Sequence, residues 1–346
     1  MGAIRARCLA LEGRMCGLPL KHRALPLLVR PSYASIGRQR FYSDEKSDAS
    51  LQKHDTVTSL TSINPPRSTR PPVLTLPTPT PGESRFKRLL AFSKAYFQFY
   101  KAGCSAVLTN YRLAKEVIAS KSGSGRDTSA SFLRQARDPA ALTRAEWILL
   151  SRVRHDVLRI PLFGIILLIC WEMTPIVVAV FDGVVPTTCR LPFQNLKAIK
   201  RAEERRRVSF EELDSKFGPG VADGSENQIT PQYARTHTLR SLHLISGLWD
   251  RLGFVPSYLW RSNGEPRIAY LEADDALLSQ ANDLSAMEPE EVEIACAERG
   301  INVQGQSPED LQRSLSRWLE LTASGDGVER RKRMTVLLTT RYVFLF

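Results

Sequence analysis

The chain has 346 residues, a formal charge of +12 at pH 7 and six cysteines, Cys8, Cys16, Cys104, Cys170, Cys189 and Cys296, none in a C-x-x-C pair. That length allows two ordinary domains at most, and the cysteine spacing excludes a disulfide framework or a zinc site. Basicity is confined to the first half: residues 1–43 contribute +7, residues 44–181 contribute +8 and residues 182–346 contribute −3, so nucleic-acid contact by the C-terminal part would need a local patch.

Residues 1–43 hold eight bases against Glu12 alone, interleaved with Leu, Ala and Ser. This is the composition of a mitochondrial presequence, whose basic face is drawn toward the negative matrix side. The run Arg40-Phe41-Tyr42-Ser43, followed at once by Asp44-Glu45, predicts removal of a transit peptide near Tyr42/Ser43. A basic arm that stays attached is the alternative. Residues 44–83 are polar and then dense in proline, from Pro65 to Pro81, which predicts an extended, disordered linker.

Residues 84–159 read as a basic helical segment. Phe86, Leu89, Leu90, Tyr96, Phe97 and Tyr100 recur at three- and four-residue spacings, either as a buried helix face or as a belt at a membrane interface. Gly103 is a candidate interruption. The stretch KSGSGRDTSAS from Lys121 is a flexible loop, and Thr143-Arg144-Ala145-Glu146 forms a capping box that opens the next helix.

That helix feeds IPLFGIILLICWEMTPIVVAVF, residues 160–181, in which only Glu172 carries a full charge. As a helix it would reach about 33 Å, enough for one crossing of a hydrocarbon core about 30 Å thick. An acid at mid-depth costs on the order of 3 kcal/mol, so Glu172 must be protonated, paired or turned to a protein interior. Pro175 cannot donate to the carbonyl of Trp171, which leaves a free acceptor near the acid. Together they could line a cation or proton path, although one span needs a homo-oligomer to make a conduit. The structural alternatives are pairing of Glu172 with a base of the helix at 84–118, or a segment that lies at an interface rather than spanning.

Beyond the span, residues 191–217 predict a long helix ended by Gly218-Pro219-Gly220. It carries Lys197, Lys200, Arg201, Arg205, Arg206 and Arg207, a candidate grip on ribosomal RNA phosphates or on anionic head groups such as cardiolipin, or else a solvated face with internal ion pairs. Thr230-Pro231 restarts a helix, with an apolar stripe of Leu239, Leu242, Leu244, Ile245, Leu248 and Trp249. Ser307-Pro308 opens another, whose Leu311, Leu315, Trp318 and Leu319 share a face. The helix-stop-helix at 288–321 has the outline of a SAP-type nucleic-acid module, but its acids, Glu288, Glu290 and Glu291 among them, favour packing or protein contact. Arg330, Arg331, Lys332 and Arg333 form a second basic patch. No alternating strand pattern competes in this region, so the soluble part is expected to be all-α.

Three segments resemble one family. NPPRSTRPPVLTLP, then RHDVLRIPLFGIILLICWEMTPIVVAVFDGVVPTT, then LSAMEPEEVEIACAERGINVQGQSPEDLQRSLSRWLELT are similar to the LETM proteins of the mitochondrial inner membrane, over roughly residues 64–343. The resemblance implies a single transmembrane helix at 160–181 followed by a helical, 14-3-3-like ribosome-binding domain at 182–346 that faces the matrix. It implies mitochondrial ribosome binding, support of respiratory-chain biogenesis and a part in potassium/proton homeostasis. The coiled coils and EF-hand of the longest members are not expected here, nor are a cofactor, a metal, a DNA partner or enzymatic activity. The leading expectation is a membrane adaptor for mitochondrial ribosomes; a subunit of a potassium/proton exchanger is the alternative.

Overall fold

Helices begin where short polar side chains or prolines meet apolar periodicity, and all the regular structure among the described residues is helical. The computed structural model describes residues 63–78, 84–121, 141–170, 185–218, 229–245, 255–281 and 283–340. The expected transit-peptide region with Arg40, Tyr42 and Ser43, the expected intramembrane pair Glu172 and Pro175, and Leu248 and Trp249 lie outside those residues.

Helix α1 runs over Arg85–Lys121. It passes through Gly103 unbroken, contrary to the expected interruption. A side chain at Gly103 would meet the Thr188 carbonyl oxygen at 2.8 Å and Cys189 Sγ at 2.9 Å, so glycine serves here for close approach. Helix α2, Arg144–Val157, opens with the expected capping box: the Glu146 amide donates to Thr143 Oγ1 (3.3 Å) and the Thr143 amide to Glu146 Oε2 (2.8 Å). Helix α3, Ile160–Cys170, follows almost directly.

After a 3-10 turn at Thr187–Cys189 comes α4, Pro192–Phe217, with proline in its first turn. It ends at Gly218, whose φ of +99° suits a residue without Cβ. Helix α5, Pro231–Ser241, is shorter than its apolar stripe suggests. His243 takes φ +55°, and the Leu244 amide turns back onto the Leu239 carbonyl (2.8 Å), ending the helix while leaving Leu242, Leu244 and Ile245 buried. Helix α6, Glu265–Ala281, continues from Ser257–Leu259 and a π-turn at Trp260–Gly264. Helices α7 (Pro289–Glu298), α8 (Pro308–Thr322) and α9 (Gly327–Thr339) complete the body. Ser307 caps α8 by accepting from the Asp310 amide (3.1 Å).

The main core lies among α4 to α9 and is centred on Leu239, Leu271, Leu315, Met334 and the fully buried Trp318. A second layer, α1 and α2, packs through Ala114, Val117 and Ile118 against Leu149, Leu150 and Val153. Trp147 and Ile148 of α2 then join that layer to Ala273 and Leu277 of α6.

One correction concerns the proline-rich segment. Residues 63–78 are extended, apart from a 3-10 turn at Arg67–Thr69, but they are not an unstructured linker. Ile63 enters the main core, Asn64 Nδ2 donates to the Ala286 carbonyl (2.7 Å), and Ser68 bonds Asn110 of α1. Prolines that forbid helix do not forbid a strap whose side chains find partners.

Candidate functional site

Helix α2 presents Arg144, Ile148 and Arg152 at four-residue intervals, hence on one face, and that face meets acids of the C-terminal helices. Arg144 Nε donates to Asp274 (2.8 Å) and its Nη1 to the Ile63 carbonyl (2.9 Å). Arg152 forks onto Glu291 (2.9 and 2.8 Å) and reaches the Thr69 hydroxyl (2.9 Å). Arg70 of the strap pairs with Glu288 and with Glu290 (3.3 Å) and lies 3.6 Å from Glu291. Behind them Arg299 donates to Asp274 (2.7 Å) and Asp275 (2.9 Å), and Trp318 Nε1 donates to Asp275 (2.9 Å).

Arg144, Arg152, Asp274, Asp275, Glu291 and Arg299 are all buried. Burial opposes ionisation of Asp274, but Arg144 and Arg299 outweigh it and hold the carboxyl below its usual range. Arg152 does the same for Glu291 against the same opposition. At Asp275 burial prevails and its pKa is raised, despite Arg299. Removing one partner of a buried pair leaves an uncompensated charge, a penalty of about 3–5 kcal/mol. The network therefore fixes the strap and α2 on the C-terminal bundle. Sequence reading did not join these residues into a network; the signal was Asp274-Asp275 among Ile268, Leu271, Leu277 and Leu278 of α6, with a helix elsewhere that carries Arg144 and Arg152 eight residues apart.

The opposite end of the molecule inverts this pattern. On α3, Leu162, Ile165, Leu168 and Ile169 are exposed, the last two by 80% and 77%. Phe86, Leu89, Leu90 and Phe97 of α1 are also exposed, as are the neighbouring Arg85, Lys87, Arg88 and Lys94. Between these surfaces Phe163 packs with Phe99 and Tyr100, beside Val185, Cys189 and Leu191. Among the described residues no helix is long and apolar enough to cross a membrane. Helix α3, with eleven residues, covers only the first half of the expected span.

The six bases of α4 divide into two groups. Arg205 donates to His243 Nδ1 (2.7 Å) and the Ile245 carbonyl (3.2 Å), Arg206 pairs with Glu203, and Arg207 forks onto Glu204 (2.6 Å) and Glu211 (2.6 Å). These three serve the fold or local ion pairs. Lys197, Lys200 and Arg201 are exposed in the first turns of α4, next to exposed Phe193 and Leu196. In the second patch Arg331 reaches Glu272 (2.7 Å) and Arg333 reaches Glu329 (3.2 Å).

Fold and site define an all-α protein with a polar, ion-paired body and one apolar end bordered by bases. A model of the family described as "LETM1-like, RBD" matches residues 236–343, which hold most of α5 and all of α6 to α9. The chain thus carries a LETM1-like RBD domain in its C-terminal part. No curated protein and no solved structure matches it.

Proposed function

We propose that the protein holds a ribosome close to a membrane, the mitochondrial inner membrane given its basic leader. The LETM1-like RBD domain takes the ribosome. The apolar end takes the bilayer, and Lys197, Lys200 and Arg201 meet anionic head groups such as cardiolipin. Supporting respiratory-chain biogenesis follows from placing nascent hydrophobic chains beside their destination, and effects on cation homeostasis follow from that.

The observation that carries this reading is the joining of the matched domain to the elements with exposed apolar faces. Asp274 and Glu291, inside the matched residues, are gripped by Arg144 and Arg152 of α2, which leads directly into α3. The exchanger alternative turns on Glu172, and nothing among the described residues favours it.

The test is co-sedimentation of the detergent-solubilised full chain with mitochondrial ribosomes. It should pellet with them at low salt, and binding that falls steeply as salt rises marks contact with phosphates. A chain that stays in the supernatant at every salt concentration contradicts the ribosome role.

A further inference from the structure

Cys104, Cys189 and Cys296 are free thiols, and they are of two kinds. Cys296 on α7 is buried, donates to the Leu311 carbonyl (3.3 Å), and burial pushes its pKa up to about 12. A thiol so placed stays protonated and inert. Cys104 and Cys189 instead meet, with Sγ atoms 3.9 Å apart, although 85 residues separate them in the chain.

The fold brings them together at a tight seam. Cys104 follows Gly103 on α1, and Cys189 ends the 3-10 turn at Thr187–Cys189. Because position 103 has no Cβ, the turn can approach until the Thr188 carbonyl oxygen and Cys189 Sγ stand where a methyl group would be. The Thr188 hydroxyl donates to the Gly103 carbonyl (3.2 Å), and Asp156 of α2 accepts from the Thr187 amide (2.7 Å) and hydroxyl. Hydrogen bonds to α1 and to α2 thus hold the turn, and with it the two sulfurs, in place. A disulfide needs the sulfurs at about 2.05 Å, and closing a 3.9 Å gap lies within the swing of a thiol about its χ1.

The surroundings divide the labour between the two thiols. Cys104 is partly exposed, with Ala102 and Ser105 exposed beside it, whereas Cys189 is fully buried. The hydrogen bond from Cys189 lowers the pKa of Cys104 against the opposing effect of burial. The same bond and burial raise that of Cys189. Cys104 is therefore the reachable sulfur that becomes a thiolate, and Cys189 is the thiol behind it.

We propose that Cys104 and Cys189 form a reversible peroxide-responsive pair, in which Cys104 is oxidised and Cys189 resolves it into a disulfide. The Cys104 thiolate attacks one oxygen of hydrogen peroxide and the O–O bond breaks. Cys104 becomes a sulfenic acid, and the other oxygen leaves as hydroxide and takes up the proton released by the thiol to give water. The Cys189 sulfur then attacks Cys104 Sγ, the S–O bond breaks, and the leaving hydroxide takes the Cys189 proton as a second water. Two thiols give up two electrons, and one peroxide is reduced to two waters. A dithiol reductant reverses the bond by exchange. The disulfide fastens α1 to the turn that leads into α4, joining covalently the helix of Phe86, Leu89 and Leu90 to the chain that carries Lys197, Lys200 and Arg201. This inference goes beyond the proposed function, and it rests on neither the ribosome nor the bilayer.

The test treats the reduced, detergent-solubilised full chain with hydrogen peroxide, alkylates the remaining thiols and maps the peptides by mass spectrometry without reduction. A linked pair of peptides holding Cys104 and Cys189 is expected, and dithiothreitol should abolish it. Cys296 should lose its free thiol at least about tenfold more slowly. In Cys189→Ser the sulfenic acid on Cys104 has no resolving thiol and should be trapped by dimedone, whereas in Cys104→Ser residue 189 should stay alkylatable. Wild-type chain in which Cys104 and Cys189 remain free, in which Cys104 bonds to a different cysteine or passes to sulfinic acid, or in which Cys296 is oxidised as fast, overturns the proposal. Those outcomes are read on the wild-type chain, so they decide the matter even where a serine variant fails to fold.

Discussion

At the interface between α2 and the C-terminal helices, arginines and carboxylates are buried together with Trp147, Ile148 and Leu277. At the far end of α1 and on α3, large apolar side chains are exposed and the bases stand beside them. In water alone the second surface would be unfavourable, since each large apolar side chain left uncovered forfeits about 1.5–3 kcal/mol of burial. The contrast separates an ion-paired face satisfied within the chain from a face whose large apolar side chains are left exposed. The ion-paired end is satisfied within the chain, whereas the apolar end is the surface that the proposed function gives to the bilayer.

The sharpest way to break the polar side of this comparison is Arg299→Met. It leaves Asp275 with Trp318 Nε1 and Asp274 with Arg144, both in a buried setting, and should lower stability by about 3–5 kcal/mol in urea unfolding of the detergent-solubilised protein. A loss below about 1 kcal/mol would mean that the network is solvated.

Acid should weaken the packing of α4, α5 and α9. His237 joins three helices: Nδ1 accepts from Ser209 of α4 (2.7 Å) and Nε2 donates to the Leu338 carbonyl of α9 (3.1 Å). Burial pushes its pKa down to about 3 from an ordinary 6.5. The unfolded chain therefore binds this proton first, and stability is full above about pH 6.5 and falls as pH drops toward 3. By pH 5 the loss is about 2 kcal/mol, measured as a fall in unfolding free energy, and His237→Gln should flatten that slope. The depressed carboxyls of Asp274 and Glu291 act in the same direction, but only below their ordinary values of 3.8 and 4.5.

Between the two ends, Gly103→Ala tests the seam where α1 meets the 3-10 turn at Thr187–Cys189. The new methyl would press on the Thr188 carbonyl and Cys189, and overpacking of this kind costs about 1–3 kcal/mol. The melting temperature should fall. The smallest effect is expected at the apolar end itself. Lys197→Gln and Lys200→Gln should each weaken flotation with cardiolipin-containing vesicles by about 1 kcal/mol and leave flotation with neutral vesicles unchanged. Equal loss on both vesicle types would assign these lysines to something other than head groups.

What the sequence made legible was local. The Thr143 capping box, the Thr230-Pro231 and Ser307-Pro308 starts and the Gly218 stop depend on neighbouring residues, and they stand where their signals place them. The all-α reading of the C-terminal part rested on the same signals. Arg144 and Asp274 are 130 residues apart, and Arg152 and Glu291 are 139 apart. No periodicity announces such partners, so the acids around Glu291 could be read as favouring packing or protein contact without Arg152 being named as the partner. The strap was misread for a related reason: proline density reports what a backbone cannot do, not which side chains will dock. The basic stretch of α4 was visible as a unit, but its division into Lys197, Lys200 and Arg201 outside and Arg205 and Arg206 inside depends on where His243, Ile245 and Ser241 fall. The apolar run was long enough to suggest a crossing, and the bond between Asp156 and Thr187, which flank it, carries no signal in the sequence.

Because the strap and α2 must be one folded unit with the LETM1-like RBD domain for both ends to belong to one body, the most direct test is a double-mutant cycle on Arg152 and Glu291. Unfolding free energies are measured for wild type, Arg152→Met, Glu291→Met and the double variant. A fully desolvated, forked pair predicts two single losses of about 3–5 kcal/mol each and a double variant much less damaged than their sum. Strictly additive losses, or single variants as stable as the wild type, would show that α2 does not rest on the matched domain.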